Sequence, residues 1–283
     1  MQPQDMVTRF APSPTGRLHL GHALSAVLAR DAARAAGGRF VLRIEDIDTA
    51  RCRSEFTEAI LDDLRWLGVE WDALDIQRHH ADLHISALDR LKAQGLVYPC
   101  TCTRAEIATS ASAPQGDIGP VYPGTCRGRA IDPDETRPVA WRLDIAKALA
   151  RTGSLVWHDA DAKGVAADPL AGGDVVLARK ELGVAYHLAV VVDDAAAGVT
   201  HVVRGRDLFA ATHVQRLLQA LLDLPTPAYR HHALVAGPDG KRLAKRTPGA
   251  TLADLRGAGK DPVALVAGLR NGQLPVGFGW VSA

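Results

Sequence analysis

The chain lacks the features that would place it in several broad classes. It has four cysteines in 283 residues, Cys52, Cys100, Cys102 and Cys126, too few to suggest the disulfide framework of a small secreted domain. No apolar run approaches the roughly 18 residues of a membrane span. Residues 1–5 carry neither the basic nor the apolar part of a signal peptide. Formal net charge is only +1 and there is no basic tail, so any contact with nucleic acid has to come from local patches. The phosphate fingerprints G-x-G-x-x-G and G-x-x-x-x-G-K-[S/T] are missing, as is any internal repeat. What remains is 47% hydrophobic and 23% charged, the composition of a soluble globular protein. The length suits one large domain or a domain with an insertion. A reducing, cytoplasmic location is expected.

The pattern along the chain is that of an α/β protein. Residues 6–10 and 39–44 read as apolar strands, separated by an alanine-rich helix over 23–36 that Gly37-Gly38 ends. A strand–helix–strand unit implies a parallel pair. Further helices are expected at 54–66, with Ser54 as N-cap, and at 81–94, closed by Gly95. From 99 to 138 Pro, Gly, Thr and Cys dominate, as in an insertion or a lid. Strands are expected again at 140–143, 174–178 and 199–204. A helix over 212–222 and a final strand over 231–236 follow, then the turn Gly237-Pro238-Asp239-Gly240. Two short helices and a glycine-rich tail complete the chain.

Two motifs carry the strongest chemical signal. Arg9-Phe10-Ala11-Pro12-Ser13-Pro14-Thr15-Gly16 runs from the first strand into Leu18-His19-Leu20-Gly21-His22. His19 and His22 then share one face at a helix N-terminus, where free N–H groups and the helix dipole favour a phosphate. Far downstream lies Lys241-Arg242-Leu243-Ala244-Lys245-Arg246. A bare charge run is usually a solvated loop. This one follows a core strand on a glycine-flanked loop, which favours phosphate clamping. Cys100, Cys102 and Cys126 cluster in sequence, which points to metal, though three reduced thiols without metal fit the same spacing.

Together the two motifs resemble the HIGH and KMSKS signatures of class I aminoacyl-tRNA synthetases. The segments Arg43-Ile44-Glu45-Asp46-Ile47-Asp48, Tyr186 to Asp194 (Tyr-His-Leu-Ala-Val-Val-Val-Asp-Asp) and Val203-Arg204-Gly205-Arg206-Asp207-Leu208 are similar to the glutamyl branch of that class. The likeness runs from the N-terminus to about residue 250. It implies a Rossmann-type parallel sheet with an inserted zinc-bearing subdomain and a short C-terminal helical segment. The expected division is 1–98 and 186–236 for the two catalytic halves, 99–185 for an acceptor-binding-like insertion, and 237–283 for the KMSKS-like loop and C-terminus.

The resemblance also implies roles. His19, Gly21, His22 and Lys245 would bind ATP, with His19, His22 and Lys245 catalytic. Arg9, Phe10, Ala11, Pro12, Ser13, Glu45, Tyr186 and Arg204 would form a glutamate pocket. There the arginines face carboxylates, whose two oxygens suit a guanidinium fork, and Glu45 faces the ammonium. Arg242 replaces the usual first lysine of the loop, Ala244 replaces a serine, and Leu243 and Arg246 complete the motif. Cys100, Cys102, Tyr122 and Cys126 would hold one structural Zn²⁺, the tyrosine coming from the family pattern alone. Mg²⁺ would accompany ATP.

The chain stops soon after the KMSKS-like loop, where glutamyl-tRNA synthetases continue into an anticodon-binding region. In this it is similar to the truncated family that attaches glutamate to the queuosine base in the anticodon of tRNA(Asp) without needing tRNA for activation. The implied partners are glutamate, ATP and queuosine-bearing tRNA(Asp), with no membrane and a monomeric chain. Charging the 3′ end of tRNA(Glu), a small-molecule nucleotidyltransferase, and a catalytically dead tRNA-binding paralogue are the competing expectations.

Overall fold

A computed structural model describes residues 6–103, 105–107, 121–130, 135–179, 183–243 and 251–281. Strands β1 (Val7–Phe10), β2 (Arg39–Ile44) and β3 (Ala73–Ile76) pair in parallel and lie on one side of the main sheet. On the other side of β1 follow β10 (His201–Gly205) and β11 (Ala228–His232), also parallel. The hairpin β6 (Val156–Asp159) and β7 (Lys163–Ala166) extends that edge, so the seven-stranded order is β3-β2-β1-β10-β11-β6-β7. Strand order therefore reverses between β1 and β10. In an open α/β sheet ligands bind at such a switch point, beyond the carboxyl ends of the strands.

Burial explains the composition of the elements. All four residues of β1 are buried, as expected for a strand covered on both faces. Helix α1 (Leu20–Ala35) lays Ala23, Ala26, Ala29 and Ala33 fully buried in the core, where small side chains let it approach the sheet closely. The Thr8 hydroxyl donates to the Ala29 carbonyl at 2.7 Å, tying β1 to that helix. Gly37 follows the helix at φ +65°, a left-handed conformation that favours glycine.

Helix α2 spans Ser54–Trp66. Its N-cap is Arg53, which makes no side-chain cap bond, so Ser54 is the first helical residue and not the cap. Helices α3 (Ala81–Ala93), α4 (Ile145–Thr152), α5 (Tyr186–Ala196) and α6 (Phe209–Leu221) enclose a second apolar cluster built on Leu91, Leu143, Leu177, Leu188 and Leu217.

Segment 99–185 contributes to two sheets. Strands β5 (Ala140–Leu143), β8 (Val176–Arg179) and β9 (Gly183–Val184) join β4 (Val97–Cys100) in a four-stranded antiparallel sheet, while β6 and β7 belong to the main one. The strand expected over 231–236 is broken. β11 ends at His232, and β12 (Val235–Ala236) pairs instead with β13 (Gly279–Trp280). The chain leaves the parallel sheet between them, beside the switch point. Helices α7 (Leu252–Gly257) and α8 (Pro262–Arg270) close the C-terminal part, with Leu252, Leu265 and Leu269 joining the core around α1.

Candidate active site

The residues following β1 turn from strand to helix at the switch point. His19 is the N-cap of α1. Its Nδ1 accepts the Gly21 N–H at 3.1 Å, and His22 Nδ1 accepts the His19 N–H at 3.0 Å. This reciprocal cap satisfies two helix-end donors with imidazoles in place of hydroxyl and carboxylate. It also fixes the tautomers. With both Nδ1 atoms accepting, each neutral ring carries its proton on Nε2 as a donor. The two rings lie 3.7 Å apart. Gly21 permits this, because a Cβ there would sit 3.1 Å from the His19 ring.

A cavity of about 420 Å³ opens at this point. Arg9, Phe10, Ala11, Pro12, Ser13, His19, Gly21, His22, Glu45, Tyr186, Arg204, Arg242 and Leu243 all line it. Of the motif loop, Ala244, Lys245 and Arg246 lie outside the described residues. Both ends of their segment are anchored nonetheless. Leu243 N–H donates to Val235 O at 3.0 Å, and Leu252 N–H donates to Leu18 O at 2.8 Å. Arg242 pairs with Asp207 at 3.1 Å.

Beneath the cavity is a buried charged layer. Arg9 Nε donates to Asp194 at 3.1 Å, and Arg43 Nη2 lies 2.7 Å from the same carboxylate. Arg43 also reaches Glu45 at 3.4 Å. Burial favours the neutral form of Asp194, but Arg9 and Arg43 overcome it and hold the carboxyl below its ordinary range. For Glu45 the balance falls the other way: burial raises it against the pull of Arg43 and Arg9. Asp193 receives Gln77 Nε2 at 2.7 Å and lies 2.6 Å from His84 Nε2 and 2.9 Å from His80 Nδ1. His80, His84 and Asp193 lie close enough to hold a metal ion, but these hydrogen bonds already satisfy the carboxylate without one.

Arg204 is held by a chain of groups that no motif announces. Its Nε donates to His231 Nε2 at 3.1 Å, and its Nη2 donates to the Thr212 hydroxyl at 2.6 Å. His231 Nδ1 lies 2.7 Å from Asp159. Burial and the Arg204 charge push His231 down to about 4, so it is neutral, with its proton on Nδ1 toward Asp159 and Nε2 accepting from Arg204. Asp159, Thr212 and His231 come from three separate elements, and only the tertiary fold joins them. Arg43 and Asp194, present in the quoted segments, did carry a signal: a charge inside an otherwise apolar strand or helix needs a buried partner.

The cysteine cluster lies apart, at the end of β4. Cys102 and Cys126 sulfurs are 3.4 Å apart, and the Tyr122 hydroxyl is 3.4 Å from Cys100 and 3.8 Å from Cys102. A tetrahedral zinc with ~2.3 Å bonds to sulfur needs ligand atoms roughly 3.8 Å apart, so the donor set fits that ion. Burial raises Cys126, but hydrogen bonds from Tyr122 and the Thr101 backbone bring it down to about 7. Burial and the Cys126 contact push Cys102 up to about 11. Tyr122 is also raised by burial, so a phenolate ligand there requires the cation's field. The guanidinium of Arg142 sits 3.8 Å over the Tyr122 ring. The Cys52 thiol lies 3.8 Å from the carbonyl oxygen of Glu45, a residue that lines the cavity.

Comparison with known proteins agrees with this geometry. Residues 5–276 match the family of class I tRNA synthetases (E and Q), catalytic domain. The chain is 51% identical to a Glutamyl-Q tRNA(Asp) synthetase of Rhodobacter capsulatus, over 91% of this chain and 97% of that protein.

The chain belongs to the class I tRNA synthetases for E and Q, in the Glutamyl-Q tRNA(Asp) synthetase branch.

This synthetase, a ligase, is also 46% identical to the Symbiobacterium thermophilum protein of the same name, over 92% of this chain and 84% of that one. Its fold matches a glutamate tRNA ligase of Elizabethkingia meningosepticum, solved in complex with its amino acid, at TM-score 0.70 and 25% identity. It covers 86% of this chain but spans about half, 52%, of that ligase. Among the described residues no helix is long and apolar enough to cross a membrane.

Proposed function

We propose that the enzyme activates glutamate with ATP without needing tRNA, and transfers it to the queuosine base in the anticodon of tRNA(Asp). One observation carries the activation step: a single cavity holds both a donor-rich helix end and a pocket of paired opposite charges. His19 and His22 offer ring N–H donors to phosphate at one wall, where Gly21 leaves room for a close approach, while Arg9, Arg204 and Glu45 offer two cations and one anion at the other. Glutamate, with two carboxylates and one ammonium, complements that set. Phe10, Ala11 and Pro12 shape the wall, Ser13 adds a hydrogen bond, and the Tyr186 hydroxyl closes the pocket. Relatives named Glutamyl-Q tRNA(Asp) synthetase support this acceptor.

In the first step an α-carboxylate oxygen of glutamate attacks the α-phosphorus of ATP in line, forming glutamyl-adenylate and releasing pyrophosphate. Positioning and electrostatics suffice, because no covalent enzyme intermediate is needed. His19 and His22 donate to phosphate oxygens, and Lys245 adds its charge. Mg²⁺ brought with ATP supplies further countercharge to the phosphates. In the second step a hydroxyl of the queuosine cyclopentenediol attacks the carbonyl carbon. The bond to the phosphate oxygen breaks, AMP leaves with its electron pair, and the hydroxyl proton passes to a phosphate oxygen. Cys100, Cys102, Tyr122 and Cys126 would hold a structural Zn²⁺ that braces segment 99–185 rather than taking part. We assign 1–98 and 186–236 to the catalytic halves, 99–185 to acceptor-side structure and 237–283 to the motif loop and C-terminus, in a monomeric cytoplasmic enzyme.

The test is glutamate-dependent ATP–pyrophosphate exchange by the purified protein with no tRNA, followed by transfer of labelled glutamate to queuosine-bearing tRNA(Asp). Exchange with glutamate alone, then transfer, is expected. Silence until tRNA(Glu) is added would move the assignment to 3′-end charging, and silence throughout would mark a binding protein on an inactive fold.

A further inference from the structure

The residues read for glutamate and for phosphate leave one wall of the cavity without a role. Glu45, Arg9 and Arg204 sit near the carboxyl ends of β2, β1 and β10. β11 lies on the far side of β10, and its last residue, His232, pairs in register with Gly205. His232 lines the cavity, and so does Ser25. Ser25 follows His22 by three residues, so it shares that histidine's face of α1, one turn further from the helix N-terminus. A nucleotide with its α-phosphate between the histidines and the glutamate pocket would extend its nucleoside along Val203, Leu208 and Leu234 toward this wall.

Ser25 and His232 meet there, and their protons can be placed. The Ser25 hydroxyl oxygen lies 2.7 Å from His232 Nε2, and His232 Nδ1 lies 2.8 Å from the Ala233 carbonyl oxygen. A carbonyl only accepts, so Nδ1 carries the ring proton. Burial holds His232 below its ordinary range despite the Ala233 carbonyl and the Asp207 carboxylate, so the ring is neutral and Nε2 is bare. Nε2 then accepts the Ser25 proton. The Gly21 carbonyl, 3.1 Å from the same hydroxyl, is its longer alternative acceptor. Either way the hydroxyl's single proton is committed within the protein. What the pair offers the cavity is the remaining lone pairs of Ser25 Oγ. Such an acceptor favours an N–H or O–H donor and disfavours a phosphate oxygen.

We propose that Ser25, held by His232, is a specificity-determining residue for the nucleotide, its Oγ accepting a hydrogen bond from a donor group of the nucleoside. Two groups of ATP have that chemistry, a ribose hydroxyl and the adenine 6-amino group. His232 is a positioning residue, which turns the serine proton away from the ligand. The assignment rests on the reading of this cavity as the ATP site and adds which side chain reads the nucleoside.

The test is glutamate-dependent exchange with ATP and with three analogues that each lack one donor: 2′-deoxy-ATP, 3′-deoxy-ATP, and purine riboside triphosphate, which has hydrogen in place of the 6-amino group. Wild type should prefer ATP over one of them by at least about tenfold in kcat/KM, the scale of an acceptor left unpaired. That preference should fall below about threefold in Ser25→Ala, while the preferences over the other two analogues and the KM for glutamate stay within about twofold. The analogue affected distinguishes sugar from base. Ser25→Thr, which keeps the hydroxyl, should retain the preference, and His232→Phe should lose part of it. Wild-type indifference to all three analogues would overturn the assignment, and so would an undiminished preference in Ser25→Ala or a parallel rise in its KM for glutamate. Wild-type protein silent in exchange with ATP and glutamate, with or without tRNA, would instead overturn the functional reading and the role of the pair with it.

Discussion

The buried charged layer beneath the switch-point cavity and the part-buried cysteine cluster at the end of β4 are both sets of titratable groups, satisfied in opposite ways. In the first, Arg9, Arg43 and Asp194 meet as opposite charges, and His80, His84 and Gln77 surround Asp193. The protein itself supplies the opposite charges, although Arg43 Nε and Nη1 make no hydrogen bond, so the layer is assembled before any ligand arrives. In the second, three thiols and a phenol face one another. All are weak partners, and their geometry suits a cation that the chain does not itself contain. A preorganised site has its desolvation cost met during folding, whereas a metal cluster defers part of its stability to binding.

The sharpest way to break the contrast is at Asp194. Asp194→Ala would leave two guanidiniums buried without their shared carboxylate, a loss of about 3–5 kcal/mol in urea unfolding. An effect within experimental error would show that the layer is not self-supporting. Next in size are the proposed phosphate-side donors. His22→Ala and Lys245→Ala should each lower glutamate-dependent exchange about 10²–10³-fold, the scale of one lost preorganised donor. A loss under about threefold would remove either residue from the mechanism.

His231 probes the link between layer and substrate. His231→Ala should raise KM for glutamate about tenfold with a smaller change in kcat, since Arg204 loses its alignment and not its charge. The same histidine predicts a pH effect. Its folded value of about 4 lies below the ordinary 6.5. The unfolded chain therefore binds more protons between those limits. The stabilising contribution is present above about 6.5 and is lost as pH falls toward 4. Thermal melts across that window should show the loss, with a shallower slope in the variant. The smallest effect on activation is expected at the cysteine cluster. Cys126→Ser should lose bound zinc by elemental analysis and lower the melting temperature, yet change exchange by less than about threefold, because the cluster touches no residue of the switch-point cavity. Wild-type protein free of zinc, with an unchanged melt after chelation, would reduce the cluster to three ordinary thiols.

Much of this was legible beforehand for physical reasons. The strand–helix–strand start showed in apolar runs and a Gly-Gly stop, and the His-Leu-Gly-His turn showed in local spacing. Local signals fail where partners are distant. The helix Tyr186–Ala196 has mostly buried residues, so it lacks the polar face that a 3.6-residue period would reveal. The break between His232 and Val235 follows from pairing with Gly279 and Trp280, some 45 positions on. Ser54 has the right chemistry for a cap, but the helix begins one residue earlier than that role requires.

By itself the sequence determined which residue types suit phosphate and carboxylate, because motif chemistry resides in short, contiguous runs such as Arg9 to His22. It also determined the α/β class, because periodicity is a local property. Only the tertiary structure decided that Arg9, Glu45, Tyr186 and Arg204 share one cavity with those histidines. Only it could place Asp159, Thr212 and His231 behind Arg204, or set His232 against Ser25. Those arrangements depend on where strand order reverses and on which charges must find partners once buried, and neither is fixed until the chain has folded on itself.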